Sequence, residues 1–231
     1  MFHAKHTSYQ ILCFVEDYNN SSSQTRILYP KQMKIRYLTL CILTIISCSK
    51  SPLIQPIQVN SANGLLKDFI MYTIQKDSNY SDKSNYKVFQ FDSLKFIAYF
   101  DISAIYKTKN PVNQYNINKL YGFSDNHTFH QFYSARFGWR WSGDSLRLFS
   151  YCYNTSVRSS IELCVIQINE LDTCCITIKN GYYVFKVNGI QKGKIRRTAT
   201  AGKPYGYMLY PYFGGSEPAP HTIKIYLKEI H

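Results

Sequence analysis

Two neighbouring stretches carry residue types that can hold an anion or a sugar. In SARFGWRW (134–141), alternation puts Arg136, Gly138 and Arg140 on one side and Ala135, Phe137, Trp139 and Trp141 on the other. In LRLFSYCY (146–153), Arg147, Phe149, Tyr151 and Tyr153 oppose Leu146, Leu148, Ser150 and Cys152. A tight Ser142-Gly143-Asp144 turn joins the two stretches and predicts adjacent antiparallel strands. Arg136, Arg140, Arg147, Phe149, Tyr151 and Tyr153 then lie side by side, opposite the tryptophans. Guanidinium groups grip carboxylate or sulfate in bidentate fashion, and aromatic rings offer a flat apolar surface to a sugar ring. The expected chemistry is recognition of a glycan, an acidic one. Trp139 and Trp141 share a face with Phe137 and are expected in the core.

Two further groups stand out. The stretch 109–130 reads as a long loop rich in Asn (Asn110, Asn113, Asn116, Asn118, Asn126), with Asp125, His127 and His130 near its end. Its oxygens suit calcium, yet only one carboxylate is present. His127 and His130 lack a third zinc ligand. No cofactor is expected, with calcium the single alternative. Near the C-terminus, Tyr210, Tyr212, Gly214, Gly215, Glu217 and His221 surround a turn stiffened by Pro211, Pro218 and Pro220, expected to be structural.

Other chemistries are excluded. A retaining glycosidase needs two carboxylates about 5 Å apart, and no Glu-x-Asp-x-x-Glu run exists. Neither a Gly-rich phosphate loop nor a Gly-x-Ser-x-Gly motif is present.

The elements that must position these residues are strands. Period-two alternation recurs in 95–105, where Phe96, Ala98, Phe100, Ile102 and Ala104 share a face, and in 222–230, where Ile223, Ile225 and Leu227 do. Asn180-Gly181 and Asn188-Gly189 suit two-residue hairpin turns and predict a three-strand meander. Further strands are expected at 88–91, 159–169 and 206–213, nine to eleven in all. Only 65–74 has a helical look. The sum is an all-β antiparallel β-sandwich over residues 65–231.

The segments NKLYGFSD (118–125), SARFGWRW (134–141) and LYPYFGGSEPAPHTIKI (209–225) resemble a group of exported bacterial proteins. That group has a jelly-roll sandwich similar to concanavalin A-like lectins and glucanases. The run ending in FKVNG (185–189) is similar to a hairpin such domains carry. The resemblance implies this fold over about residues 88–230 and an association with glycans, without a specific activity. Jelly-roll polysaccharide lyases use a His or Tyr base while Arg, Asn or Gln neutralises a uronate carboxylate. His130, Gln131, Arg136, Arg140, Tyr210 and Tyr212 supply those residue types, although the lyases' strand motifs do not occur as such.

The N-terminus points to export. From Met33, MKIRYLTLCILTIISCSKS has a basic start, an apolar stretch at 37–46 and a small residue before Cys48. Ile45-Ile46-Ser47-Cys48 resembles a bacterial lipobox, which implies a signal peptide at 33–48 and lipidation of Cys48. Residues 1–32 read as an overextended start and 49–64 as a tether. Acyl chains then anchor the protein in the cell envelope, and Ser49 leans towards the outer membrane. No apolar run reaches about 18 residues, so no conventional membrane-spanning helix is expected.

Charge and cysteines follow from that reading. Residues 48–231 hold 22 basic and 12 acidic residues, a net of +10, which attracts polyanions. Outside the cytoplasm nucleic acid is the least expected of these. Cys152, Cys164, Cys174 and Cys175 remain after Cys48 and read as core thiols or one bridge. The resulting expectation is a lipid-anchored envelope protein whose sandwich binds an acidic glycan. The alternatives are a uronate lyase, with His130, Tyr210, Tyr212 and Arg136 in its site, and a non-catalytic domain that binds another envelope protein.

Overall fold

The computed structural model describes residues 62–230. The readings of 1–32, of the signal peptide with Cys48 and of most of the tether lie outside the described residues. Among the described residues the chain is an all-β antiparallel sandwich of two sheets.

Twelve strands follow one helical turn, α1 (Ala62–Leu65): β1 (Ile70–Ile74), β2 (Val88–Phe89), β3 (Ser93–Phe100), β4 (Asn118–Ser124), β5 (Tyr133–Ser142) and β6 (Ser145–Asn154). Then come β7 (Val157–Ile166), β8 (Leu171–Lys179), β9 (Tyr182–Val187), β10 (Ile190–Arg196), β11 (Gly206–Leu209) and β12 (Ile223–Ile230). They form two six-stranded sheets, ordered β1-β12-β3-β8-β9-β10 and β2-β11-β4-β5-β6-β7. The paired strands are antiparallel throughout.

Apolar side chains from both inner faces make the core. Phe96, Ala98 and Phe100 of the first sheet meet Phe137, Trp139 and Leu148 of the second, all buried. Phe96 and Phe100 pack at 5.7 Å on Phe137 and 5.3 Å on Trp139, centroid to centroid. Each such side chain contributes about 1.5–3 kcal/mol by leaving water. Trp139 and the half-buried Trp141 belong to this core, as expected.

Turn chemistry sets the meander. Asn180, Gly181, Asn188 and Gly189 all have positive φ, as two-residue hairpin turns require. They link β8, β9 and β10, with one bulge in β10 between Gln191 and Gly193. The Gly143-Asp144 turn, also at positive φ, links β5 to β6.

Several expectations need correction. The stretch 65–74 is not a helix: after α1 it becomes β1, whose Tyr72 and Ile74 bury inward while its backbone pairs with β12. The stretch 109–130 is not one loop, because β4 lies inside it and is almost wholly buried. The strand expected at 95–105 ends at Phe100 and passes into a 3-10 turn, Ile102–Ala104, capped by Asp101. The expected strands at 88–91 and 206–213 are shorter, and the one at 159–169 runs from Val157 to Ile166. Of the two readings of Cys152, Cys164, Cys174 and Cys175, the thiol one holds: all four are free, with Cys152 and Cys174 buried.

Candidate functional site

The register of β5 on β6 sets Arg136 opposite Tyr151, Gly138 opposite Phe149 and Arg140 opposite Arg147. All lie on the face away from the core, as expected, but that face divides into two parts with different partners.

Its far half is closed. Arg147 donates to Glu162 at 2.6 Å, and Arg140 approaches the same carboxylate at 3.8 Å. Arg140 also donates to the Tyr115 carbonyl at 2.8 Å and stacks over the Phe149 ring at 4.7 Å. Arg140, Arg147 and Phe149 are therefore engaged among themselves and do not line the cavity beside them. This corrects the expectation of one continuous binding face of six residues.

The other half opens into a cavity of about 750 Å³, a size typical of ligand sites. Its floor is the second sheet: Lys119 on β4, Arg136 on β5, Tyr151 and Tyr153 on β6, Arg158 on β7 and Tyr207 on β11. The walls come from His130 and Gln131 before β5, Tyr212 after β11, and Tyr80 and Tyr86 between β1 and β2. Tyr80 and Tyr86 are 72% and 76% exposed and form an aromatic rim. None of the lining residues is Asp or Glu.

Arg136 is the centre. It is 7% exposed, and its buried Nε has no hydrogen-bond partner. Its guanidinium carbon lies 5.4 Å from the Tyr151 ring centroid. Burial pushes its pKa down to about 10 despite the tyrosines around it. A buried cation without a carboxylate partner carries a desolvation cost that an incoming anion relieves.

Lys119 reinforces this field. A bulge in β4 between Lys119 and Gly122 turns Leu120 and Tyr121 into the core and keeps Lys119 on the cavity side. Its Nζ donates to the Gly214 carbonyl at 2.6 Å and lies 5.3 Å and 5.4 Å from the Tyr151 and Tyr212 rings. Burial, then repulsion from Arg136 and Arg158, lowers it to about 8. The Arg158 guanidinium carbon stands 6.0 Å from the same Tyr151 ring.

His130 is held by Tyr207. The Tyr207 hydroxyl accepts the His130 backbone N–H at 3.1 Å and lies 3.1 Å from Nδ1. Burial, and secondarily Arg136, lowers the imidazole pKa, which favours the neutral ring. Of the expected acid and base residues, Tyr212 sits against Lys119 and Tyr80, with the Tyr80 ring 4.9 Å away edge-on. Tyr210 also borders the cavity, yet its ring packs on Tyr72 and Tyr121 at 5.9 Å and 5.8 Å.

The other sequence groups have structural duties. Asp125 is fully buried and pairs with Arg197 at 2.7 Å while accepting from the Tyr183 hydroxyl at 2.6 Å. Asn118 accepts from the Gly214 N–H and donates to the Tyr106 hydroxyl. Glu217 accepts from the Lys109 and Asn110 backbones and from Asn113 Nδ2, and His221 contacts the Ser103 carbonyl. The oxygens that suggested calcium are thus spread over separate contacts. Among the described residues no three of His, Cys, Asp and Glu come together as metal ligands.

Lys119, Arg158, Tyr207 and the rim tyrosines were not singled out from sequence. Lys119 stood in a stretch read as loop, and Tyr207 reaches the site through strand pairs distant along the chain.

Neither a protein-family model nor a curated protein matches this chain. Among solved structures, similarity extends to a Bacteroides ovatus mixed-linkage glucan GH16 protein in complex with product. The TM-score is 0.44 at 9% identity, covering 70% of this chain and 81% of that one. The alginate lyase AlyC3 gives 0.44 at 9% identity, covering 76% and 93%. The carbohydrate binding module CBM66 from Bacillus subtilis gives 0.37 at 4% identity, covering 70% and 92%. Each is a likeness in fold.

Proposed function

We propose that the cavity over β4, β5 and β6 binds an acidic glycan. The observation that carries this reading is Arg136: buried, without a carboxylate partner and bordering a cavity whose lining holds Lys119 and Arg158 but no carboxylate. A uronate or sulfate would supply the counter-charge it lacks, while Tyr80 and Tyr86 at the rim offer faces to flanking sugar rings. Retardation in native gels cast with acidic or neutral polysaccharides, at two salt concentrations, tests it. Acidic polymers should retard the protein, less so at high salt. Equal mobility in every gel would end the reading.

A second reading, β-elimination, is favoured by one feature: His130 and Tyr212 share the cavity with Arg136. With Arg136 neutralising a uronate carboxylate, a base removes the proton on the adjacent carbon. Those electrons form a C=C bond, the glycosidic C–O bond breaks, and the leaving oxygen takes a proton. Growth of absorbance from unsaturated ends, lost in His130→Ala or Tyr212→Phe, would establish it. Intact polymer after prolonged incubation would dismiss it.

For location, the reading is a lipid-anchored envelope protein, attached through Cys48 after removal of residues 33–47. Incorporation of labelled fatty acid, abolished in Cys48→Ser, tests this.

A further inference from the structure

The outward positions of the first sheet carry a second charge pattern, separate from the cavity. Register fixes them: Lys224 and Lys228 on β12, Lys95 on β3, Lys179 on β8, Lys186 on β9, and Lys194 and Arg196 on β10. Lys95, Lys179, Lys194, Arg196 and Lys224 are exposed, and Lys186 and Lys228 are half-buried. No outward position of these six strands is Asp or Glu, since Asp172 and Glu229 follow the inward parity of Cys174 and Leu227. Among the described residues, Lys228 alone of the seven has a carboxylate partner, Asp68 at 3.2 Å. Lys194 rests 4.8 Å over the outward Tyr182 ring.

We infer that this sheet face docks on an anionic lipid surface. The cations spread over five adjacent strands, about 19 Å across at the usual strand spacing, rather than along a groove. A polymer strand would meet one row of them, whereas a plane of headgroups meets all at once. Outward Tyr182, half-buried, and the exposed Met71 of β1 add amphipathic contact suited to a membrane interface. β1, the first strand of the described chain, is also the edge strand of this sheet. The second sheet, with its cavity, is the opposite layer of the sandwich and stays free for a soluble ligand.

The test is cosedimentation of the full chain with phosphatidylglycerol-containing vesicles against pure phosphatidylcholine vesicles. The difference between the two is the readout, because any binding that does not depend on lipid charge is common to both. Lys95→Glu, Lys186→Glu and Lys194→Glu together should erase that difference, weakening binding to anionic vesicles by well over about 100-fold at low salt. The Lys→Gln triple variant should fall between, and both should keep the thermal midpoint and the cavity's glycan retardation. Wild-type protein without preference for anionic vesicles would overturn the proposal. So would a triple variant that keeps the preference, or one that loses retardation by acidic polymer while vesicle binding stands, which would mark the face as a glycan surface instead.

Discussion

The Arg136 guanidinium carbon lies 5.4 Å from the centroid of the Tyr151 ring, its opposite neighbour across β5 and β6. The ring shields a cation that has no carboxylate beside it, and burial lowers the Arg136 pKa to about 10. Such a residue burdens the fold until a ligand arrives. Arg136→Met should therefore leave thermal stability unchanged or raise it by up to about 2 kcal/mol, since an apolar side chain of similar length removes the desolvation cost. Retention of acidic polysaccharide should meanwhile drop by tenfold or more, the worth of a charge-assisted hydrogen bond. A Met variant that loses more than about 1 kcal/mol in urea unfolding would show that Arg136 is structural instead.

That pair was legible before the fold was known, and the reason is local. A two-residue turn at Gly143-Asp144 pairs Ser142 with Ser145 and thereby places Arg136 opposite Tyr151. The same argument placed Arg140 opposite Arg147 but missed their loss to Glu162, because β7 meets β6 through a bulge that alternation does not reveal. Lys119 escaped for a similar reason: the irregularity between Lys119 and Gly122 breaks period two, so a buried strand looked like loop. Tyr207 and Tyr86 depend on β11 pairing with β2 and β4, a long-range closure that no local pattern encodes.

Asp125 illustrates a buried charge with the opposite fate. Arg197 reaches its carboxylate through Nε at 2.7 Å and Nη2 at 3.0 Å, and Tyr183 donates at 2.6 Å. This ties the end of β4 to the end of β10, just ahead of the segment that carries His130. Asp125→Ala should cost about 3–5 kcal/mol, because Arg197 is left buried and unpaired. Urea unfolding measures this, and a loss under about 1 kcal/mol would mean that water reaches the pair.

Gly122 explains how Arg136 fits. A methyl group there would collide with the Arg136 Cβ and the Ala135 carbonyl on the neighbouring strand. Gly122→Ala should therefore destabilise the sheet by about 1–3 kcal/mol and weaken glycan retention at once. Gly64→Ala, where the added carbon meets nothing within 4 Å, is the control and should change neither. Unaltered retention in Gly122→Ala would separate the position of Arg136 from ligand binding.

Lys119 makes the site pH-dependent in a definite direction. Burial and the nearby arginines hold it at about 8, against 10.5 when free. Below pH 8 it is charged in both folded and unfolded chains, and the cost of burying that charge is present in full. Between about 8 and 10.5 the unfolded chain binds the extra proton, so this residue's contribution to stability rises with pH across that window. Ligand binding runs the other way, because the charge that attracts an acidic sugar disappears above pH 8. A bound carboxylate stabilises the ammonium form, so binding near pH 8 should take up a proton. Calorimetric titration in buffers of different ionisation enthalpy reads this uptake directly. Lys119→Met should abolish it while keeping part of the affinity through Arg136 and Arg158. Proton uptake that persists in Lys119→Met would assign the titration to another group in the cavity, with His130 the first to examine.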